Sequence, residues 1–141
     1  MIAYLDTSAL LKLILDDEPG AVEARAITSA VDGVLTNRIA YPEGRAAIAA
    51  AQRARRIDGR KHVLARSSLD RLFGRLEVVE VNPTLAYAAG ELAERLALKG
   101  ADALHLASAL GASSAEGVLF VTWDRQLARA GAKAGLDVAP A

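Results

Sequence analysis

The sequence predicts one α/β domain: a short parallel sheet flanked by helices on both faces. Three observations carry this expectation. Short apolar runs that read as strands (IAYL, GVLT, EVVEV, VLFVT) alternate with longer helical stretches, the order of a parallel sheet covered on both sides. The 141 residues suit a single domain, and their 52% hydrophobic content, mostly alanine and leucine, supports a core and favours helices. No linker, repeat or low-complexity stretch interrupts the pattern, so the domain is expected to span residues 1–141.

The elements follow in order. IAYL (2–5) reads as a buried strand, and the apolar density from Thr7 to Leu15 predicts a mostly buried helix. DDEPG (16–20) is a solvated turn, and Pro19 suits the first turn of a second helix reaching about Val31. GVLT (33–36) is the second strand. Asn37 is expected to cap a helix from Arg38 to about Arg56. Glu43 then lies about two turns in, and Pro42 falls where a missing amide matters least. Asp58-Gly59 breaks the chain before a basic amphipathic helix to about Phe73. EVVEV (77–81) alternates as a strand, and Asn82-Pro83-Thr84 opens a helix ending near Lys99-Gly100. GADALHLASALGA (100–112) is a nearly all-apolar helix. VLFVT (118–122) is a strand, residues 124–135 form a helix, and LDVAP supplies a last edge strand.

Composition narrows the chemistry. There are no cysteines, which excludes disulfides and thiolate metal sites and allows a reducing compartment. No basic leader precedes an apolar stretch, and no uncharged apolar run approaches the ~18 residues of a membrane span. A cytoplasmic protein without membrane contact is expected. Net charge is zero, but its distribution is uneven. From Arg45 to Arg75 the basic residues are Arg45, Arg53, Arg55, Arg56, Arg60, Lys61, Arg66, Arg71 and Arg75, opposed only by Asp58 and Asp70.

Four acids stand out by position. Asp6 ends the first strand, Glu43 lies in the helix after the second, Asp102 opens the apolar helix, and Asp124 follows the fourth strand. Singly, each has an ordinary explanation: Asp6 and Asp124 as helix caps, Asp102 answering a helix dipole worth roughly 0.3–1 kcal/mol, Glu43 as a solvated helix acid. Together they fall on the sheet edge where α/β proteins bind ligands. Crowded carboxylates repel by roughly 1–4 kcal/mol per pair, so such a cluster calls for a cation or raised pKa values. Hard oxygen donors suit Mg²⁺ or Mn²⁺ and the hydrolysis of phosphodiesters.

These residues also carry a resemblance. LDTSALLKLILDDEPG, YPEGRAAI, ADALHLASAL and FVTWDRQLARAGAKAGL, in that order and covering nearly the whole chain, resemble the PIN-domain ribonucleases, most closely the toxins of bacterial and archaeal toxin–antitoxin pairs. The resemblance implies a metal-dependent endoribonuclease that cleaves single-stranded RNA to 5′-phosphate and 3′-hydroxyl ends. It implies a catalytic quartet of Asp6, Glu43, Asp102 and Asp124, with Mg²⁺ or Mn²⁺ held by Asp6, Asp102 and Asp124. It further implies that the Ser8 and Thr122 hydroxyls orient the carboxylates, a supporting role that tunes metal sites generally. Its implied partners are a cognate antitoxin and a second copy of the chain in a homodimer. Pro42 beside Glu43 and Trp123 within TWD are mild departures.

Alternatives remain at this level. A receiver-type signalling domain is also α/β with an acidic Mg²⁺ pocket, but it needs adjacent acids after the first strand, where only Asp6 stands. A PIN-like domain in RNA processing, or one that only binds RNA, shares the motifs. Arg53, Arg55, Arg56 and Arg60 are expected to hold the RNA backbone beside the acidic groove; a solvated helix face is the plainer reading. His105, three residues after Asp102, reads as a structural histidine on an apolar helix, with a place in the site as the alternative. Lys12 and Arg125 lie near the acidic motifs; an ion pair is the plainer reading of each, with a phosphate contact as the alternative. Only Tyr41 and Trp123 lie beside the motifs to stack on bases.

Overall fold

The strand Ile2–Leu5 (β1) is almost wholly buried because it lies at the centre of the sheet and packs on both faces. The computed structural model describes residues 1–113 and 117–140. After β1 come helices α1 (Thr7–Ile14) and α2 (Ala21–Ser29), strand β2 (Gly33–Asn37), helices α3 (Ala40–Arg53) and α4 (Gly59–Phe73), and strand β3 (Glu77–Val79). The chain continues through α5 (Pro83–Leu96), α6 (Gly100–Ala112), β4 (Val118–Val121), α7 (Arg125–Lys133) and β5 (Asp137–Ala139). The sheet order is β3-β2-β1-β4-β5. Every pairing is parallel, with Ala3 set against Val34 on one side and Leu119 on the other.

Strand alternation divides the core. Tyr4 and Phe120 point to one face, where they meet Leu92, Leu106 and Leu127 beneath α5, α6 and α7. Ala3, Leu5 and Val121 point to the other and meet Leu10, Ile48 and Leu69 beneath α1, α3 and α4. Helices therefore cover both faces, as the sequence pattern requires. The chain winds outward from β1 to β3, then returns to begin again at β4 on the opposite side of β1. The crevice between the carboxyl ends of β1 and β4 is a topological switch point, where ligands bind in such folds.

Several boundaries differ from the sequence reading. Asn37 is not a helix cap; it is the buried last residue of β2. Its Oδ1 accepts from the Ile39 amide at 2.8 Å, and its Nδ2 donates to Ser108 Oγ at 2.9 Å. The amide thus turns the chain and ties β2 to α6, and α3 begins only at Ala40 with no side-chain cap. Glu43 consequently stands in the first turn of α3, not two turns in. The same helix stops at Arg53, and Arg55 takes a left-handed φ of 58° just beyond. EVVEV pairs only over Glu77–Val79, and Val81 is exposed. Asn82 does cap the next helix, accepting from the Leu85 amide at 2.9 Å with Pro83 following.

The basic segment folds into an antiparallel helical hairpin. Near its base, the Tyr41 ring meets Phe73 edge-on at 5.4 Å, and the Tyr41 hydroxyl bonds Asp70 at 2.5 Å. Gly44 lets Leu69 close in, since a Cβ there would sit 3.2 Å from Leu69 Cδ2. At the far end Gly59 lies against Gln52, and Asp58 caps α4 through the Lys61 amide at 2.8 Å.

Candidate active site

Asp6 is a helix cap, the plainer of its two sequence-based readings, and it sits at the carboxyl end of β1. As the cap of α1 it accepts from the Ala9 amide through Oδ1 at 2.9 Å. The same oxygen accepts from Ser8 Oγ at 2.7 Å, while Oδ2 accepts from Thr122 Oγ1 at 2.6 Å. Both hydroxyls are backed by the loop after β4: the Trp123 amide donates to Ser8 Oγ at 2.9 Å, and the Asp124 amide to Thr122 Oγ1 at 3.0 Å. Filling their acceptor sites leaves each hydroxyl its proton to give to Asp6. Three of the roughly four acceptor positions of a carboxylate are so occupied. Asp6 is only 4% exposed. Burial raises its pKa, against the opposing pull of Thr122, Ser8, the Ala9 amide and His105.

The other acids arrive from separate elements. Asp124 follows β4 and caps α7, accepting from the Leu127 amide at 3.0 Å. Asp102 lies half-buried in the first turn of α6, and among the described residues it accepts no hydrogen bond. Its pKa is raised first by burial, then by the charge of Asp124, with Glu43 and Asp6 adding and His105 opposing. The four acids therefore share one electrostatic neighbourhood at the switch point.

Glu43 is held differently. Its Oε1 accepts from Thr7 Oγ1 at 2.7 Å and pairs with His105 Nε2 at 2.8 Å. Burial alone would raise its pKa, but the hydrogen bonds from His105 and Thr7 outweigh it and hold the carboxyl below its usual value. His105 continues inward, with Nδ1 2.8 Å from the Tyr4 hydroxyl. Thr7 and Tyr4 were not legible as site residues: one reads as the start of a helix, the other as a core aromatic. In the sequence His105 reads as a structural histidine, with a place in the site as the alternative; its partner is Glu43, a residue from another helix.

Donor chemistry fits a hard divalent cation: four carboxylates, no thiols, and an acid at Asp102 whose acceptor positions are open. Among the described residues no three such side chains already stand gathered as a ligand set.

The arginines fall elsewhere. Arg53 is ten residues beyond Glu43 along α3, about 15 Å at the helical rise, and Arg55, Arg56 and Arg60 lie at the same far end of the hairpin. There the turn after α1 answers them: Arg56 pairs with Glu18 at 3.6 Å and Lys61 with Asp17. Lys12 also reaches Glu18, at 3.5 Å. Asp102 thus feels the charges of Asp124, Glu43 and Asp6, while Arg56 and Lys61 are paired with acids of the turn after α1. The Trp123 ring packs against Gly20, whose left-handed φ of 92° leaves room where a Cβ would lie 2.8 Å from the indole nitrogen.

A pH effect follows from the raised pKa of Asp102. An acid with a raised folded-state pKa contributes stability that is present below its unfolded pKa and lost as pH rises through the folded value. Glu43, with a lowered pKa, works the other way, and its contribution is lost as pH falls. Asp102→Asn is accordingly expected to raise the melting temperature of the metal-free protein at pH 7 and to change it little at pH 4. Thermal melts in chelator at the two pH values measure this; an equal effect at both would contradict it.

Comparison with known proteins agrees with the geometry. The family model described as PIN domain matches residues 3–133. The chain is 40% identical over 140 residues to Ribonuclease VapC45 of Mycobacterium tuberculosis, covering 99% of this chain and 96% of that protein. Its fold matches the crystal structure of Mycobacterium tuberculosis VapC20, a sarcin-ricin loop cleaving toxin, with TM-score 0.67 and 20% identity over 95% of both chains. It also matches a toxin–antitoxin complex from Klebsiella pneumoniae, with TM-score 0.62 and 17% identity over 86% of both chains. With a PIN family model matching residues 3–133 and a ribonuclease relative 40% identical along nearly its whole length, the chain belongs to the PIN-domain family.

Proposed function

We propose that this protein is an endoribonuclease of the VapC type, the toxin of a toxin–antitoxin module, cleaving single-stranded RNA in the crevice between β1 and β4. The observation that carries the reading is 40% identity to a named ribonuclease along 99% of the chain. The site assignment is supported by the convergence of Asp6, Glu43, Asp102 and Asp124 on one edge of the sheet. PIN-domain ribonucleases are generally divalent-metal dependent, and Asp6, Asp102 and Asp124 would hold Mg²⁺ or Mn²⁺ here. Such an ion supplies a Lewis acid for the phosphate and lowers the pKa of water. Ser8 and Thr122 keep Asp6 in place, and Glu43 can accept a proton or steer water. The proposed partners are single-stranded RNA, a protein antitoxin that closes the acidic crevice, and a second copy of the chain. Membership of the PIN family, and the single acid after β1, disfavour a receiver domain.

The test is cleavage of single-stranded RNA oligonucleotides by the purified protein. Activity should be lost in chelator and restored by Mn²⁺ or Mg²⁺; metal-independent cleavage, or none, would sink the reading.

An acidic crevice repels a polyanion, so cations are needed at its rim. Lys99 and Arg125 are exposed and flank Asp102 and Asp124 in the chain, whereas Arg53, Arg55, Arg56 and Arg60 serve only a strand long enough to run down the hairpin. Each phosphate contact adds about 0.7 to the salt slope of single-strand binding. In an inactive Asp124→Asn background, Lys99→Ala with Arg125→Ala is expected to flatten that slope by up to about 1.4 on a short RNA. Arg55→Ala with Arg56→Ala should flatten it only on a longer one. The reverse pattern would return the RNA to the hairpin tip.

A further inference from the structure

A buried chain of hydrogen bonds runs from the sheet to the site: Tyr4 hydroxyl, His105, Glu43, Thr7. His105 is 2% exposed, and its ring stands edge-on to Tyr4 at 5.9 Å and 67°. Tyr4 itself is fully buried, and its hydroxyl, 2.8 Å from His105 Nδ1, is a phenol with a proton to donate there. An imidazole that accepts at Nδ1 carries its hydrogen on Nε2. That hydrogen faces Glu43 Oε1 at 2.8 Å. Thr7 Oγ1 lies 2.7 Å from the same oxygen and 3.2 Å from Nε2. Both donors converge on Oε1, and among the described residues Oε2 accepts no hydrogen bond.

We propose that His105 is a positioning residue: tautomer-fixed by Tyr4, it clamps Oε1 of Glu43 together with Thr7 and leaves Oε2 free for the reaction. The proposal rests on the ribonuclease reading, since it assigns Glu43 work at that site. Sequence neighbours cannot do this job. The Glu43 amide donates to the Ile39 carbonyl at 3.2 Å and so holds the backbone, but among the described residues no hydrogen bond within α3 reaches the Glu43 carboxylate. The anchor comes from α6, the helix that also carries Asp102. One rigid helix therefore sets both acids relative to each other.

A purely structural histidine predicts lower stability with unchanged turnover in the folded protein. Positioning predicts a loss in kcat. The probe is a single-stranded RNA oligonucleotide that the wild type cleaves with Mn²⁺. His105→Leu is expected to lower kcat by roughly 100-fold, the usual scale for a misplaced group, with KM little changed. His105→Gln, whose amide can donate from near the Nε2 position, should recover most of the loss. Tyr4→Phe, which removes only the hydroxyl that sets the tautomer, should fall between them and guards against a misfolded leucine variant. An independent readout needs no activity: long-range ¹H–¹⁵N spectra of the metal-free protein should show His105 as the Nε2–H tautomer, and Tyr4→Phe should disturb it. An Nδ1–H tautomer, or wild-type kcat in folded His105→Leu, overturns the inference. If Asp124→Asn is dead while His105→Leu is fully active, the nuclease reading stands and only the positioning role falls. An inactive wild type removes the nuclease reading itself, and the spectra then judge the clamp alone.

Discussion

Asp124→Asn is expected to abolish RNA cleavage while leaving the melting temperature of the metal-free protein close to wild type. The reason is the double duty of this side chain. Its Oδ1 caps α7 through the Leu127 amide, and asparagine caps a helix about as well as aspartate. The carbonyl oxygen of the amide keeps that bond, while the negative charge needed beside Asp102 is gone. Loss of a supporting group around a metal typically costs 10–100-fold, so removal of a primary ligand should exceed about 100-fold. Asp6→Asn should be equally inactive but less stable. All three donors on Asp6 point at oxygens, and an amide NH₂ would face at least one of them. A buried polar group left in that state costs about 1–3 kcal/mol, partly offset by relief of a buried charge. The pair of variants separates catalysis from folding, read by cleavage rate and by thermal melt. An Asp124→Asn protein with wild-type turnover at saturating Mn²⁺ would remove Asp124 from the site.

Divalent metal should raise the melting temperature substantially at neutral pH. A cation that binds only the folded state at a hundred times its Kd stabilises by about 2.7 kcal/mol, which for a domain of this size is roughly 6–11 °C. Asp102 is disfavoured as a charge by burial and by Asp124, and a bound cation would offset both. The gain should shrink as pH falls and protons compete for the carboxylates. It should vanish in the double variant Asp102→Asn with Asp124→Asn. Melts against Mg²⁺ and Mn²⁺ concentration, with Ca²⁺ for comparison, supply the measurement. A melting curve indifferent to millimolar Mn²⁺ would count heavily against the acidic crevice as a metal site.

Much of this protein was legible in the chain because its signals are local. A strand reads from four apolar residues in IAYL, and a buried helix from GADALHLASALGA, without knowledge of any neighbour. The acids read as a set because a parallel α/β order forces strand ends onto one edge, so Asp6 and Asp124 had to meet there. The basic residues were a different matter. A run of arginines announces itself in sequence, but only the α3–α4 hairpin decides that Arg53 to Arg60 gather at its turn, where Arg56 and Lys61 meet Glu18 and Asp17.

By itself the sequence determined the α/β class and the order of the elements, and it singled out four acids at strand ends and helix starts, since each depends on periodicity or position within one segment. Tertiary structure alone decided the rest. Asn37 reads as a cap until α6 supplies Ser108 as its partner. His105 reads as a core residue until packing sets Tyr4 on one ring nitrogen and Glu43 on the other. Hydrogen bonds between residues 62 and 101 positions apart leave no mark on local pattern, because their partners are chosen by how helices pack on the sheet and not by spacing along the chain.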